Sequence, residues 1–348
     1  MTENPLRIGV IGCGYWGPNL IRNFNALAEA EVAWVCDLNA DRLSHIVGLY
    51  PHVVATENHR DIMGDASIEA VAIATPVPSH FALAKEALEA GKHVFVEKPM
   101  CETSAEAEEL IALAKARGLT LFVGHTFIYS PAVQEIARIV RSGELGKIYY
   151  VASRRLNLGL LQRDINVIQD LAPHDISILN HILDQDPIAV SASGSAHHQE
   201  GVEDVATMTV EYAGKLQAFL HSSWLDPKKV REMVFVGEEK MLVYDDVEPQ
   251  EKIRIHDKRV VRPPHYDTFA EFQFSYHYGD VHTPWLRGGE PLRTECKHFI
   301  DCIRSGETPL SSGEHGLRVI RVLEAANASM RNCGARVELP PLCESTRS

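Results

Sequence analysis

The chain has 348 residues, with 34 basic and 47 acidic side chains and a formal net charge of −13. This acidic balance argues against a nucleic-acid partner, because phosphate contacts require clustered lysine and arginine. The hydrophobic fraction of 45% and the charged fraction of 23% are typical of globular proteins and exclude a disordered or fibrous chain. The length predicts about two domains.

The N-terminal sequence MTENPLR lacks the charged-then-apolar order of a signal peptide, and no apolar run reaches the roughly 18 residues of a membrane span. Seven scattered cysteines without a Cys-x-x-Cys pattern indicate reduced thiols rather than disulfides or a zinc site. We therefore expect a cytoplasmic protein without a metal or a membrane partner. The adjacent His197 and His198 lie in a polar stretch that favours a solvated loop.

Up to residue 124, short β-branched runs alternate with amphipathic helical segments. This alternation predicts an α/β domain, a Rossmann-type doubly wound parallel sheet over residues 1–124. Ser79 and Ser104 are the expected helix N-caps, and Gly91 and Gly118 the expected left-handed C-caps. The predicted strands are Leu6–Ile11, Val32–Asp37, Ala70–Ala74, His93–Glu97 and Thr120–Val123, and the predicted helices are Trp16–Phe24, Phe81–Ala90 and Ala105–Arg117.

Residues 125–348 have a different pattern, which predicts an α+β domain. Between residues 187 and 262 short alternating runs separated by tight turns indicate an antiparallel sheet with one buried face. Residues 263–290 are expected to be irregular, and their aromatic part, Tyr266–Trp285, to form an interface, a lid or both. The predicted helices are Pro131–Arg141, Leu171–Leu183, Leu292–Ser305 and Glu314–Arg331.

The first predicted strand leads into a glycine-rich turn, Gly12-Cys13-Gly14-Tyr15-Trp16-Gly17. In a strand–turn–helix context, such glycines permit the tight turn, the close approach of a diphosphate and close packing of the helix. Asp37 ends the next strand 25 residues after Gly12, where a carboxylate accepts hydrogen bonds from ribose hydroxyls. The sequence thus predicts dinucleotide binding, with NAD preferred over NADP because Asp37 repels a 2′-phosphate.

Polar residues follow two further strands, at the edge of the sheet where ligands gather. Thr75, Pro76 and His80 are candidates to line the cofactor site, although the spacing fits an exposed helix-start turn equally well. Glu97 and Lys98 end the fifth strand, and the Lys98 ammonium can stabilise an alkoxide that develops on a reacting hydroxyl. A surface ion pair before a proline loop is the alternative for these two residues.

In the second half, Asp170 and His174 are four residues apart, so on a helix they share a face. Histidine suits general-base catalysis, because its pKa lies near neutrality and a carboxylate can orient its ring. A basic side chain suits a substrate diphosphate, and amides suit sugar hydroxyls, although solvated or interface positions fit each of these residues too. The candidate substrate-binding residues are Arg155, Asn157, Arg163, Asn166 and Gln169.

Taken together, the glycine turn, Asp37, Thr75-Pro76, Glu97-Lys98-Pro99 and Asp170-x-x-x-His174 resemble the Gfo/Idh/MocA oxidoreductase family over nearly the whole chain. The resemblance implies a Rossmann domain followed by an α+β domain whose large open, mainly antiparallel sheet forms subunit interfaces. The aromatic segment and the sheet edges of the second half favour a homodimer or homotetramer. It also implies nicotinamide-dependent hydride transfer at a secondary alcohol. Lys98, His174 and Asp170 would be the catalytic residues, with His174 as base and Asp170 as its substrate-holding partner. Glu97 and Lys98 would also contact the cofactor, with Lys98–Pro99 approaching the nicotinamide.

Many members of the family have a glycine-rich turn before Asp-x-x-x-His, whereas residues 164–169 here read DINVIQ. With GHTFIYSP (124–131) and Asn157-Leu158-Gly159, this makes the chain most similar to the branch that oxidises nucleotide-linked sugars such as UDP-N-acetylglucosamine, at C3 in the expected reaction. The alternatives are an inositol or free-sugar dehydrogenase, an NAD(P)H-dependent 3-ketoreductase of deoxysugar biosynthesis, and a non-catalytic NAD-sensing protein.

Overall fold

The computed structural model describes residues 4–261 and 275–341. The chain divides into two compact units. Among the described residues, the first contains those up to Ser130 together with Gly289–Arg321, and the second contains those of Pro131–Gly288 and Val322–Pro341. Within the described ranges, no helix is long and apolar enough to cross a membrane.

The first unit is built on a parallel sheet whose described strands run in the order β3-β2-β1-β4-β5-β6. Strand order reverses between β1 and β4, which creates the edge where a doubly wound sheet binds its ligand. The elements are β1 (Leu6–Ile11), α1 (Gly17–Asn25), β2 (Ala30–Cys36), α2 (Ala40–Leu49), β3 (Val54–Thr56), α3 (His59–Gly64), β4 (Ala70–Ile73), α4 (His80–Glu89), β5 (His93–Glu97), α5 (Ser104–Arg117) and β6 (Leu121–Gly124).

A cluster of aromatic rings fills one side of this sheet. Phe95 of β5 stacks on Phe122 of β6 with ring centroids 5.1 Å apart, and Phe24 of α1 contacts Phe95 edge-on. Helix α8 (Pro291–Ser305) adds Phe299, which contacts all three rings. A helix from late in the sequence therefore belongs to the core of the first unit, because its apolar face meets rings that the N-terminal strands present.

The second unit contains a sheet whose described strands run in the order β14-β13-β12-β11-β7-β10-β9-β8-β15. All neighbouring strands are antiparallel except β7 and β10. Its elements are α6 (Pro131–Arg141), β7 (Ile148–Leu158), α7 (Val167–Leu183), β8 (Ala189–Ser195), β9 (Val205–Glu211), β10 (Gln217–Ser223), β11 (Leu225–Gly237), β12 (Met241–Asp245), β13 (Ile253–Val261), β14 (Ser275–His282) and β15 (Val337–Glu338), and α9 (Gly313–Arg331) continues into it from the first unit.

The predicted fold class is confirmed, and several local predictions are corrected. Helix α7 begins four residues before the predicted Leu171, because Asn166 and Gln169 form a capping box at its start. Thr103, not Ser104, caps α5, since its hydroxyl accepts from the Glu106 amide. Residues 275–282 form a strand rather than irregular chain. The other part of the predicted aromatic segment, 266–274, lies outside the described residues.

Candidate active site

The glycine turn has the geometry that a dinucleotide diphosphate requires. Gly12 has a φ of 97°, and a Cβ there would lie 2.5 Å from the carbonyl oxygen of Ala74. A Cβ at Gly17 would overlap the Gly12 carbonyl, so the first turn of α1 packs directly on the strand end. Within the part of the chain that the structure describes, a Cβ at Gly14 would have open space around it, with an Arg42 nitrogen 3.8 Å away. The turn thus leaves room for a diphosphate at the start of α1.

Asp37 is linked to the glycine turn by its side chain. Its Oδ2 accepts a hydrogen bond from the Cys13 amide at 2.7 Å, and its Oδ1 accepts from the Asn39 amide at 2.8 Å. The Arg42 guanidinium lies 3.5 Å from Oδ2. The carboxylate is therefore held in a fixed orientation at the end of β2. Burial raises the pKa of Cys13 to about 12, which keeps this thiol protonated and inert.

Two aromatic side chains of the turn, Tyr15 and Trp16, are exposed to different extents, 84% and 40%. Their rings contact each other edge-on with centroids 5.5 Å apart. Direct contact of these rings with a cofactor stays a prediction.

His80 connects two loops that follow neighbouring strands. Its Nδ1 lies 2.8 Å from the carbonyl oxygen of Pro99, and its Nε2 lies 2.8 Å from that of Thr75. The ring is buried, and this burial lowers its pKa. Ser79, expected to cap α4, instead bonds the Thr75 hydroxyl and the Pro76 carbonyl. The predicted cofactor contact of His80 itself stays a prediction.

Glu97 is the last residue of β5 and Lys98 follows it at the same sheet edge, where the Lys98–Pro99 peptide bond is cis. Glu97 is buried, and its carboxylate lies over Gly124, where a Cβ would come within 3.0 Å of Oε2. Burial raises the pKa of Glu97 to about 7, against the opposing charge of Lys98. Glu97 therefore holds a proton for part of the time at neutral pH.

Behind Glu97 lies a group of buried polar side chains that the sequence motifs did not reveal. Burial, and next the charge of Lys98, lower the pKa of His125 to about 3. Glu295 of α8 accepts a hydrogen bond from Thr126 at 2.7 Å, and burial raises its pKa well above the usual value. The His125 ring contacts His315 edge-on at 5.2 Å. In the sequence, only the GHTFIYSP stretch drew attention to this region, and it indicated no role for these side chains.

The second unit carries the other predicted site residues on and around α7. Asp170 and His174 lie in the first two turns of this helix. Asn166 and Gln169 bond each other in the capping box, with the Gln169 amide donating to Asn166 at 3.0 Å, and Asn166 also donates to Asn327 at 2.9 Å. The predicted sugar contacts of these two residues stay predictions, while their structural role is to fix where α7 begins.

Arg155 lies on the buried face of β7, where it pairs with Asp175. Its Nε and Nη2 donate to Asp175 Oδ1 at 2.9 and 2.6 Å, and both side chains are buried. Asp175 directly follows His174, so this ion pair fixes the helix turn that carries the predicted base. A contact of Arg155 with a substrate phosphate stays a prediction.

Asn157 and Arg163 flank the end of β7. A Cβ at Gly159 would lie 2.6 Å from Asn157 Nδ2 and 3.3 Å from Trp224, so these three residues are packed closely. The Arg163 carbonyl accepts a hydrogen bond from Gln199 at 2.9 Å. Their predicted substrate contacts stay predictions. Trp224, which the motifs did not reveal, donates its indole N–H to Asp170 Oδ2 at 3.0 Å.

The sequence matches known families over most of its length. Residues 6–125 match an oxidoreductase family, GFO/IDH/MocA, with an NAD-binding Rossmann fold, and residues 133–243 match the C-terminal domain of the same family. The two matched regions cover the sheet edge of the first unit, helix α7 and strands β7–β11.

Several relatives are named dehydrogenases. UDP-N-acetylglucosamine 3-dehydrogenase from Acidithiobacillus ferrooxidans is 32% identical over 213 residues, which cover 60% of this chain and 62% of that protein. Its solved structure has a TM-score of 0.77 at 26% identity and covers 94% of this chain and 98% of that one. Two scyllo-inositol 2-dehydrogenases from Bacillus subtilis are also similar. The NADP⁺ enzyme is 26% identical, and the match covers 94% of each protein. The NAD⁺ enzyme is 25% identical, and the match covers 97% of each protein.

Proposed function

The chain belongs to the Gfo/Idh/MocA family of oxidoreductases, and we propose that it oxidises a secondary hydroxyl, at C3, of a nucleotide-linked sugar such as UDP-N-acetylglucosamine. Hydride transfer to NAD is the proposed reaction. The observation that carries the chemistry is the position of Lys98 at the carboxyl end of β5, on the sheet edge that also bears the glycine turn and Asp37. The 32% identity to a UDP-N-acetylglucosamine 3-dehydrogenase supports the substrate class.

The residues of the first unit fit a dinucleotide. The open space at Gly14 and the first amides of α1 would hold the diphosphate, and Asp37 would accept hydrogen bonds from the adenosine ribose. When bound, the nicotinamide ring supplies the acceptor for the hydride. NAD is proposed over NADP because the Asp37 carboxylate repels a 2′-phosphate and Arg42, the nearby cation, already lies 3.5 Å from that carboxylate.

Proton transfer is assigned to His174 and charge stabilisation to Lys98. The His174 imidazole takes the proton of the sugar hydroxyl, and the Lys98 ammonium stabilises the alkoxide while the hydride leaves the same carbon. Asp170 accepts a hydrogen bond from a neighbouring sugar hydroxyl. General-base assistance of this kind contributes roughly 10²–10⁴-fold in rate.

A single-turnover assay tests the reaction. Enzyme mixed with stoichiometric NAD and UDP-N-acetylglucosamine should produce NADH absorbance promptly, and product mass spectrometry with deuterium-labelled sugar should place the oxidation at C3. Stoichiometric amounts matter because a 3-keto product is disfavoured at equilibrium. No NADH formation, with NAD binding shown by a thermal shift, would refute the nucleotide-sugar substrate and direct the assay to scyllo-inositol, which related enzymes oxidise.

Two substitutions test the assigned residues. Lys98→Ala and His174→Ala should each reduce turnover about 10²-fold or more, because each removes a group that acts on the reacting hydroxyl, while the NAD dissociation constant stays nearly the same. Lys85→Ala and the exposed His45→Ala are matched controls that should retain full turnover. Undiminished turnover in either variant would show that the substituted residue takes no part in the reaction.

We also assign the enzyme to the cytoplasm and to a homodimer or homotetramer. The cysteines of the described ranges are free thiols, which fits a reducing compartment. The outer face of the second unit's sheet presents Tyr150 and Phe219, which are about 40% exposed and lie on neighbouring strands. Sedimentation equilibrium of the purified protein tests the oligomer, and a monomer at micromolar concentration would refute it.

A further inference from the structure

Trp224 is the residue between β10 and β11, and its side chain is 1% exposed. Its indole N–H donates to Asp170 Oδ2 at 3.0 Å, across 54 residues of sequence. An indole is a donor only, so it fixes one carboxylate oxygen without competing for a proton. A buried donor at hydrogen-bond distance restricts the rotamer of Asp170, the residue assigned to hold the sugar.

The backbone of Trp224 is itself held on both sides. Its N–H donates to the carbonyl oxygen of Asp204 at 3.0 Å, and its own carbonyl oxygen accepts from the Gly159 amide at 3.1 Å. Gly159 also packs against the indole, since a Cβ there would lie 3.3 Å from Trp224 Cδ1. The indole therefore has little freedom to swing away from α7.

Asp204 directly precedes β9 and lies beside Trp224, and its side chain holds the turn that leads into this strand. Its buried carboxylate accepts from the backbone amides and the Nδ1 atoms of His197 and His198 at 2.7–3.1 Å. Although burial opposes ionisation, the hydrogen bonds from His197 and His198 lower the pKa of Asp204 to about 2. Both histidines of this pair therefore serve to hold the Asp204 carboxylate.

The same turn also supports the start of α7. The Glu203 carbonyl oxygen accepts a hydrogen bond from the amide of Val167, the first residue of the helix, at 2.9 Å. Neighbouring residues Glu203 and Asp204 thus hold, respectively, the helix that carries Asp170 and the tryptophan that bonds it. This one short turn therefore fixes the distance between the Trp224 indole nitrogen and the Asp170 carboxylate.

We propose that Trp224 is a positioning residue that orients the Asp170 carboxylate for the sugar, and that Asp204, bound by His197 and His198, anchors it. The proposal rests on the function assigned to Asp170 above. Removing a hydrogen bond to a charged group should lower kcat/KM roughly 10- to 100-fold if the lost orientation affects the transition state.

A double-mutant cycle on the full-length enzyme tests the proposal. Trp224→Phe should lower kcat/KM for the sugar about 10- to 100-fold in the native background. In an Asp170→Asn background the same change should cost less than about threefold, because the group that Trp224 orients is already altered. The NAD dissociation constant should stay unchanged in every variant. Tyr212→Phe is a matched control, since it removes a buried hydroxyl without a hydrogen-bond partner among the residues that the structure describes, and it should leave turnover unchanged.

The outcomes separate the inference from the function it rests on. Equal losses from Trp224→Phe in both backgrounds would show a general packing role and overturn the inference. Full turnover in Asp170→Asn would instead refute the role assigned to Asp170. If Trp224→Phe does not fold, Asp204→Asn takes its place in the cycle, because it weakens the anchor while keeping the side-chain volume. Loss of coupling between Asp204→Asn and Asp170→Asn would likewise overturn the inference.

Discussion

The two units hold their predicted site residues by different means. In the first, the backbone does most of the positioning: Gly12 and Gly17 pack on carbonyl oxygens, and His80 and Asp37 bond main-chain groups. In the second, side chains hold side chains, as in the pairs of Arg155 with Asp175 and Trp224 with Asp170. We call the first group the backbone site and the two pairs of the second unit the side-chain site. The backbone site tolerates few substitutions at its glycines, whereas the side-chain site depends on partners that are distant in sequence.

The largest effect should come from breaking the backbone site. Gly12→Ala places a Cβ 2.5 Å from the Ala74 carbonyl oxygen at a φ of 97°, so it should cost about 5 kcal/mol of unfolding free energy and abolish NAD binding. Gly14→Ala has only an Arg42 nitrogen at 3.8 Å and should keep native stability while weakening NAD binding. Urea unfolding and NAD titration measure both effects. Equal stability of the two variants would contradict the argument.

Breaking the side-chain site should have the next largest effect. Arg155→Met leaves the Asp175 carboxylate buried beside a neutral side chain, so the free energy of unfolding should fall by about 3–5 kcal/mol. Arg154, the preceding residue on the same strand, makes an exposed ion pair with Glu232. Arg154→Met is therefore a matched control that should cost less than about 1 kcal/mol. Chemical denaturation of both variants decides, and similar losses would refute the buried pair.

The smallest of these effects is a change in the pH dependence of stability. The pKa of Glu97 is about 7 in the folded chain and about 4.5 when unfolded, so the folded state binds more protons between these values. Its contribution is therefore fully present below pH 4.5 and is lost as pH rises through 7. The free energy of unfolding of the native sequence should therefore fall by an amount on the order of 3 kcal/mol between pH 4.5 and 8. In Glu97→Gln this fall should be absent.

Thermal unfolding across this pH range, with the exposed Glu89→Gln as control, measures the slope. The lowered pKa of His125 gives a slope of opposite sign below about pH 6.5, because there the unfolded state binds the extra proton. A Glu97→Gln variant that keeps the native decline above pH 4.5 would show that this carboxyl is not the group that titrates.

Much of the first unit could be predicted from local signals. Strands β1 and β5 match the predicted ranges, because both faces of a parallel strand are buried and read as short apolar runs. The glycine turn could be recognised because a tight turn, a close approach and a helix start each require a particular residue type at a fixed spacing. Strand β3 and helix α3, of three and six residues, were too short to give a periodic signal.

The second unit was less accessible to such reasoning. The motif Asp170-x-x-x-His174 indicated a shared helix face, but nothing near it indicated Trp224, since the hydrogen bond joins residues 54 positions apart. The histidine pair at 197–198 lies in an exposed bend, as predicted, and both rings also bind Asp204, which the loop composition did not indicate. Loop composition predicts exposure, and it carries no information about a carboxylate that approaches from the sheet.

By itself, the sequence determined the parallel sheet, the glycine turn, the family, and the residues offered for catalysis, because each depends on spacing within one element or one turn. Only the tertiary structure decided that α8 completes the aromatic core of the first unit, that Arg155 pairs with Asp175, and that an indole orients Asp170. These contacts join residues that are distant along the chain, and such contacts exist only once the strands are paired and the helices packed.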